Sequence, residues 1–164
     1  MAESANQSVA IGTAERPAGT AVVSAGAEAF VVIAGFGVPG RVLAETLKNR
    51  RIQYCVIDSN PQTAQRCGGG EPIITGDARR PEVLKAAGIE RATLFAATVP
   101  DENVVLQTVE EARRLNPAVR IVARCHYTST GMHARQRGAS DVVVSEQVVA
   151  RELNRLVTEL FEKA

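Results

Sequence analysis

From Phe30 onward the chain alternates short β-branched runs with longer stretches in which apolar residues return every three or four positions. FVVIA (30–34) predicts a buried strand. Val38 to Asn49 predicts a helix, with Pro39 in its first turn, where a missing N–H costs nothing. YCVID (54–58) predicts a second strand; Asn60-Pro61 cap and open a helix to about Arg66, and Cys67-Gly68-Gly69-Gly70 end it. PIIT (72–75) predicts a short third strand, and Pro81 opens a helix to about Ala87 that Gly88 closes. The second half repeats this grammar. TLFAAT (93–98) predicts a strand, followed by a helix from Asp101 to Leu115 with Val104, Val105, Thr108 and Ala112 on one face, stopped by Asn116-Pro117. VRIVAR (119–124) is a fifth strand, Ser129 to Arg137 a helix ended by Gly138, DVVVS (141–145) a sixth strand, and Glu146 to Phe161 a last helix.

Short apolar strands separated by helices predict a parallel sheet, because a parallel pair needs a crossover. Right-handed crossovers then give an α/β, Rossmann-like doubly wound sheet of six strands in the order 3-2-1-4-5-6, within a three-layer αβα arrangement. Residues 1–28 are rich in Ala, Ser, Gly and Thr without a sustained period, and are expected to form a flexible N-terminal segment ahead of a domain at 29–164. They lack the basic start and apolar core of a signal peptide.

Composition narrows the function classes. At 164 residues the chain is sized for one domain with a sizeable core. A net charge of +1, two tyrosines, four phenylalanines and no tryptophan offer neither the field nor the stacking surfaces of a nucleic-acid binder. No apolar run approaches the ~18 residues of a membrane helix. Three cysteines without a C-x-x-C pair suit a reduced, cytoplasmic setting. Cys125, His126 and His133 match no closed zinc pattern, so no metal site is expected.

The candidate chemistry lies where strands end. Gly35, Gly37 and Gly40 form a G-x-G-x-x-G between the first strand and its helix. Gly35 allows a tight turn, Gly37 the close approach of a phosphate, and Gly40 the packing of helix on strand. The free N–H groups and dipole at the helix start favour an anion. Asp58 ends the second strand, where a carboxylate accepts hydrogen bonds from ribose hydroxyls; Ser59, Asn60 and Pro61 follow it, so no arginine stands there for a 2′-phosphate, which disfavours NADP. That leaves NAD(H), AMP, ADP and ATP equally open. Asp58 as a cap for the next helix is the weaker alternative, since Asn60 fills that place. Gly76-Asp77-Ala78 follows the third strand, at the adenosine end of the crevice, though Asp77 could equally help to start the Pro81 helix. Thr98 follows the fourth strand, across the switch point, and Asp101 is a plausible N-cap.

Taken in order, GFGVPGR, VIDSNP, ITGDA, ATVPDEN, IVARC and RGASDVVVSE resemble the RCK domain (regulator of potassium conductance, also KTN or Trk-type NAD-binding) over about residues 30 to 162. The resemblance implies a domain that binds NAD(H) or an adenine nucleotide and gates a potassium channel, transporter or cation–proton antiporter. By position, Gly35, Phe36, Gly37, Val38, Pro39 and Gly40 would hold phosphates, and Asp58 with Ser59 the ribose. Gly76, Asp77 and Ala78 would neighbour the adenine, Thr98 would line the crevice floor, and Arg124 would reach toward the ligand or a neighbouring subunit. The alternative for Arg124 is a solvated strand end. The family's frequent small C-terminal ligand-binding module is not expected, since the sequence stops at Ala164, and any pore is expected on another polypeptide or on a further part of this one, which would place the domain in the cytoplasm at the inner face of the membrane.

The competing class is a small NAD-dependent oxidoreductase. Such an enzyme needs a second region to hold substrate and a group near the nicotinamide. His126 after the fifth strand is its best candidate, and no catalytic residue is expected. The last helix favours a switch: Val149, Leu153, Leu156 and Leu160 are spaced 4, 3, 4, with Val157 broadening the stripe. Part of that face must cover the sheet. The rest predicts a homodimer, or a larger ring, through the last helix.

Overall fold

The computed structural model describes residues 29–67 and 70–162; the expectation for residues 1–28, and the Gly68-Gly69 part of the predicted helix stop, lie outside the described residues. The six strands are β1 (Phe30–Ala34), β2 (Gln53–Asp58), β3 (Ile73–Thr75), β4 (Leu94–Ala97), β5 (Arg120–Cys125) and β6 (Asp141–Val144). The helices are α1 (Val38–Asn49), α2 (Pro61–Arg66), α3 (Pro81–Ala86), α4 (Glu102–Leu115), α5 (Thr128–Gln136) and α6 (Ser145–Glu162). All strands pair in parallel in the order β3-β2-β1-β4-β5-β6. The chain therefore has the doubly wound α/β fold that its strand–helix alternation predicts.

Successive residues of β1 face opposite sides of the sheet. Val32 and Ala34 join Leu84 of α3, Val105 and Val109 of α4 and Ala134 of α5 in the larger core. Val31 and Ile33 pack with Ala44 and Leu47 of α1. On α4 the buried face is Val105, Thr108, Val109 and Ala112, so Val104 turns out to be half-buried and Val109 takes the central place. The stripe still follows the helical period, rotated by part of a turn.

Three features depart from expectation. A 3-10 turn at Ile89–Arg91 follows Gly88, whose φ of 84° ends α3 in the left-handed region. Asn116, expected only as a helix stop, is buried and its Nδ2 donates to the carbonyls of Ile89 (2.9 Å) and Ala92 (3.0 Å), tying that turn to the end of α4. The largest departure is α6. It was expected to lay part of its apolar face on the sheet, yet none of its residues is buried. Only its first turns approach the fold, and Leu94, Val122 and Val143, on β4, β5 and β6, are left half-covered or exposed.

Candidate functional site

The carboxyl ends of β1, β2, β3 and β4 meet around the glycine loop, and each glycine there has a different cause. Gly35 has φ +98°, and a Cβ on it would lie 2.9 Å from the Val99 backbone nitrogen. A Cβ on Gly40 would overlap the Gly35 carbonyl oxygen and approach Thr98 Oγ1 at 3.2 Å. The fold itself thus requires these two. Gly37 differs. It caps α1 in the extended region with no side-chain cap, and a Cβ there would meet nothing nearer than Pro39 Cδ at 3.9 Å. No protein atom demands a glycine at 37, and the space beside it opens onto solvent, with Gly37, Val38 and Pro39 all exposed.

Asp58 holds this loop in place. Its Oδ2 accepts from Phe36 N at 2.8 Å, and its Oδ1 accepts from Asn60 N at 2.9 Å and from Thr63 Oγ1 at 3.1 Å. The weaker alternative is therefore also present: Asp58 does help to fasten the start of α2, alongside Asn60, which caps it through Gln62 N at 3.0 Å. A carboxylate has about four lone-pair sites, and three are used, so Oδ2 keeps room for a hydroxyl donor. Ser59 is exposed next to it.

Thr98 pins the other side of the loop. Its backbone N donates to Ala34 O at 2.8 Å, and its Oγ1 lies 3.0 and 2.9 Å from the carbonyls of Ala34 and Gly35. Gly76 N donates to Asp58 O at 3.0 Å, which brings the Gly76-Asp77-Ala78 loop beside the end of β2. Ala78 is buried. Asp77 does not cap α3, whose N-cap is Arg80 without a side-chain bond. Both its oxygens accept from Arg79 instead, at 2.6 to 3.0 Å, and that guanidinium, followed by a smaller opposing effect of burial, holds the Asp77 carboxyl below its ordinary value.

Arg124 stands half-buried in an apolar groove of about 540 Å³ that runs from Pro39 and Thr98 across the open sheet to Val143, Val148 and Val149 of the β6–α6 corner. The groove thus joins the glycine loop to the first turns of α6. No single stretch of sequence could announce it, because its walls come from five elements.

A carboxylate that sequence reasoning overlooked is Glu102, in the first turn of α4. Its Oε1 accepts from His126 N (2.8 Å) and Tyr127 N (3.2 Å), and its Oε2 from Thr130 Oγ1 (2.7 Å), so it supplies the cap that α5 lacks from its own N-cap residue. Burial pushes its carboxyl up, but the Thr130 hydroxyl and the two backbone N–H groups outweigh that and hold it below the ordinary value. His126, the best enzyme candidate, is engaged here through its backbone nitrogen. Asp101 caps α4 as expected, accepting from Val104 N at 3.0 Å. Among the described residues no helix is long and apolar enough to cross a membrane, and no group of three His, Cys, Asp or Glu could hold a metal.

A glycine loop at the switch point of a doubly wound sheet, with a carboxylate ending the neighbouring strand, defines a Rossmann-like nucleotide-binding class of domain. The TrkA-N domain family matches residues 31–146, more than half of the chain, and the chain belongs to that family. It is 30% identical over 127 residues to the Escherichia coli inner-membrane protein YbaL, named as a cation/proton antiporter, covering 77% of this chain and 23% of YbaL. It is 30% identical over 128 residues to potassium channel protein 1 of Methanocaldococcus jannaschii, covering 76% and 38% of the two. The chain spans well under half of these relatives. Among solved structures, the TrkA-N domain of YbaL matches with TM-score 0.74 at 29% identity, covering 77% of this chain and 95% of that one. The Kef C-terminal domain of Shewanella denitrificans in its AMP-bound form matches with TM-score 0.72 at 25% identity, covering 80% of each chain. The GsuK channel bound to NAD matches with TM-score 0.71 at 27% identity, covering 79% of this chain and 23% of that one, and its ADP-bound form scores the same. The relatives named here are a cation/proton antiporter and potassium channels, not enzymes.

Proposed function

We propose that residues 29–164 form the nucleotide-sensing domain of a potassium channel, transporter or cation–proton antiporter. The ligand is NAD(H) or one of AMP, ADP and ATP, and it lies along the carboxyl edge of the sheet. Its phosphates meet Gly35, Phe36, Gly37, Val38, Pro39 and Gly40, and its ribose meets Asp58 and Ser59. Thr98 fixes the loop from beneath, and Arg124 faces the phosphates or a second copy. The observation that carries this reading is Gly37: its missing side chain has no cause inside the protein and an obvious one in a phosphate seated on the first free N–H groups of α1. The AMP, ADP and NAD complexes of similar domains support the ligand class.

Gating follows from linkage. A nucleotide shifts a two-state assembly only by its difference in affinity for the two states. The groove from the glycine loop to α6 is the physical connection, and α6, unburied along its whole length, is the surface that meets a second copy. The membrane partner then responds to the arrangement of the pair, at the cytoplasmic face.

Calorimetric titration with NAD+, NADH, AMP, ADP, ATP and NADP+ tests the site. At least one adenine nucleotide binds, NADP+ binds more weakly than NAD+, and Asp58→Ala removes binding. Absence of binding by all six to the folded wild type refutes the reading.

A further inference from the structure

We infer that the Arg79 guanidinium, held flat by Asp77, is the platform on which the adenine ring of the nucleotide stacks; this deepens the proposed site and rests on it. The starting point is a salt bridge that stability does not explain. Arg79 donates to Asp77 four times: backbone N to Oδ1 at 2.9 Å, Nε to both oxygens at 3.0 Å, and Nη2 to Oδ2 at 2.6 Å. The pair sits in an exposed loop, with 46% of the Arg79 side chain accessible, where ion pairs contribute little to folding. Asp77 does not cap the following helix either. The arrangement does one definite thing. It consumes the Nε–Nη2 edge of the guanidinium, fixes its plane, and leaves a face free.

The place of that face follows from the register. Asp58 pairs with Thr75 across β2 and β3, and Gly76 N is bonded to Asp58 O, so Arg79 follows by three residues the glycine that is tied to the end of β2 beside the carboxylate assigned to the ribose. Along the sheet the order is glycine loop on β1, Asp58 on β2, Arg79 beyond β3. A nucleotide laid phosphate first and ribose second delivers its base to the third position. The Asp101 carboxylate, which caps α4 on the β4 side, adds a small favourable charge interaction with the same guanidinium. A planar cation of this kind stacks on a heteroaromatic ring. Asp77 is then a positioning residue, because its carboxylate is already occupied by Arg79 and is not free to read the base edge.

The experiment compares AMP with ribose 5-phosphate, which carries the same phosphate and ribose but no base, on the folded full chain. Arg79→Lys keeps the charge and loses the plane; Arg79→Phe keeps a plane and loses the charge. Stacking predicts that Arg79→Lys weakens AMP by about tenfold, Arg79→Phe stays within about threefold of wild type, and ribose 5-phosphate is unchanged in both. Asp77→Asn gives a smaller loss for AMP alone. If Arg79→Lys binds AMP as wild type does, or if AMP and ribose 5-phosphate weaken together, Arg79 acts as a charge and the inference is overturned. If Arg79→Phe loses as much as Arg79→Lys, it is overturned as well. A wild type that binds none of the six nucleotides sinks the parent site instead, and where another adenine nucleotide binds in place of AMP it takes the place of AMP in the comparison, which separates the two failures.

Discussion

At the scale of single residues, the three glycines of one motif answer to different masters. Gly40→Ala forces a Cβ into the Gly35 carbonyl, which is backbone and cannot swing aside, so about 3 kcal/mol or more of stability is lost. Gly37→Ala meets only Pro39 Cδ at 3.9 Å and replaces one uncapped residue by another, so its stability cost stays near 1 kcal/mol or below. The two variants are therefore expected to split: Gly40→Ala lowers the denaturation midpoint strongly, while Gly37→Ala leaves it nearly unchanged and weakens nucleotide binding. Chemical denaturation beside calorimetric titration reads both. A Gly37→Ala protein that binds like the wild type removes the main support for a phosphate at this loop.

The elements divide by the range of the contacts that make them. Strand and helix identities depend on periodicity within ten or fifteen residues, and all six strands and six helices lie where the apolar pattern places them, within a residue or two. The glycine loop was legible for the same reason, being local chain geometry. What was not legible spans distance. Glu102 caps α5 across 28 positions to Thr130, and Asn116 ties the 3-10 turn across 27 to Ile89; neither residue type announces its partner. Glu102 also gives this scale its test. Its folded carboxyl lies below the ordinary 4.5, so its contribution to stability is present above that value and is lost as pH falls through the lowered one. Glu102→Gln is therefore expected to be less stable than wild type at neutral pH, with the gap closing on acidification toward pH 3. Thermal unfolding from pH 7 to pH 3 measures it, and a gap independent of pH would contradict the assigned role of the charge.

At the scale of the whole molecule, α6 and the open half of the sheet are two apolar surfaces that the described residues leave uncovered. A helical stripe looks the same in sequence whether it faces its own sheet or a second copy's, so only the fold could separate the two. Leu153 is 59% exposed, Leu160 74% and Phe161 77%, on a helix about 27 Å long at 1.5 Å per residue. Leaving such a stripe in water is costly, and pairing it about a two-fold axis covers it on both copies at once. Sedimentation velocity is expected to find a dimer for wild type and a monomer for Leu153→Glu combined with Leu160→Glu. Neither substitution touches the core, so the double variant folds and still binds nucleotide. The same pair decides whether the site and the helix are coupled. If binding and dimerisation are linked, saturating AMP changes the wild-type dimer dissociation constant, and by reciprocity the monomeric variant binds AMP with a correspondingly altered affinity. Equal AMP affinity in the dimer and the monomer would mean that the crevice and α6 do not communicate, and the domain would bind nucleotide without acting as a switch through this helix.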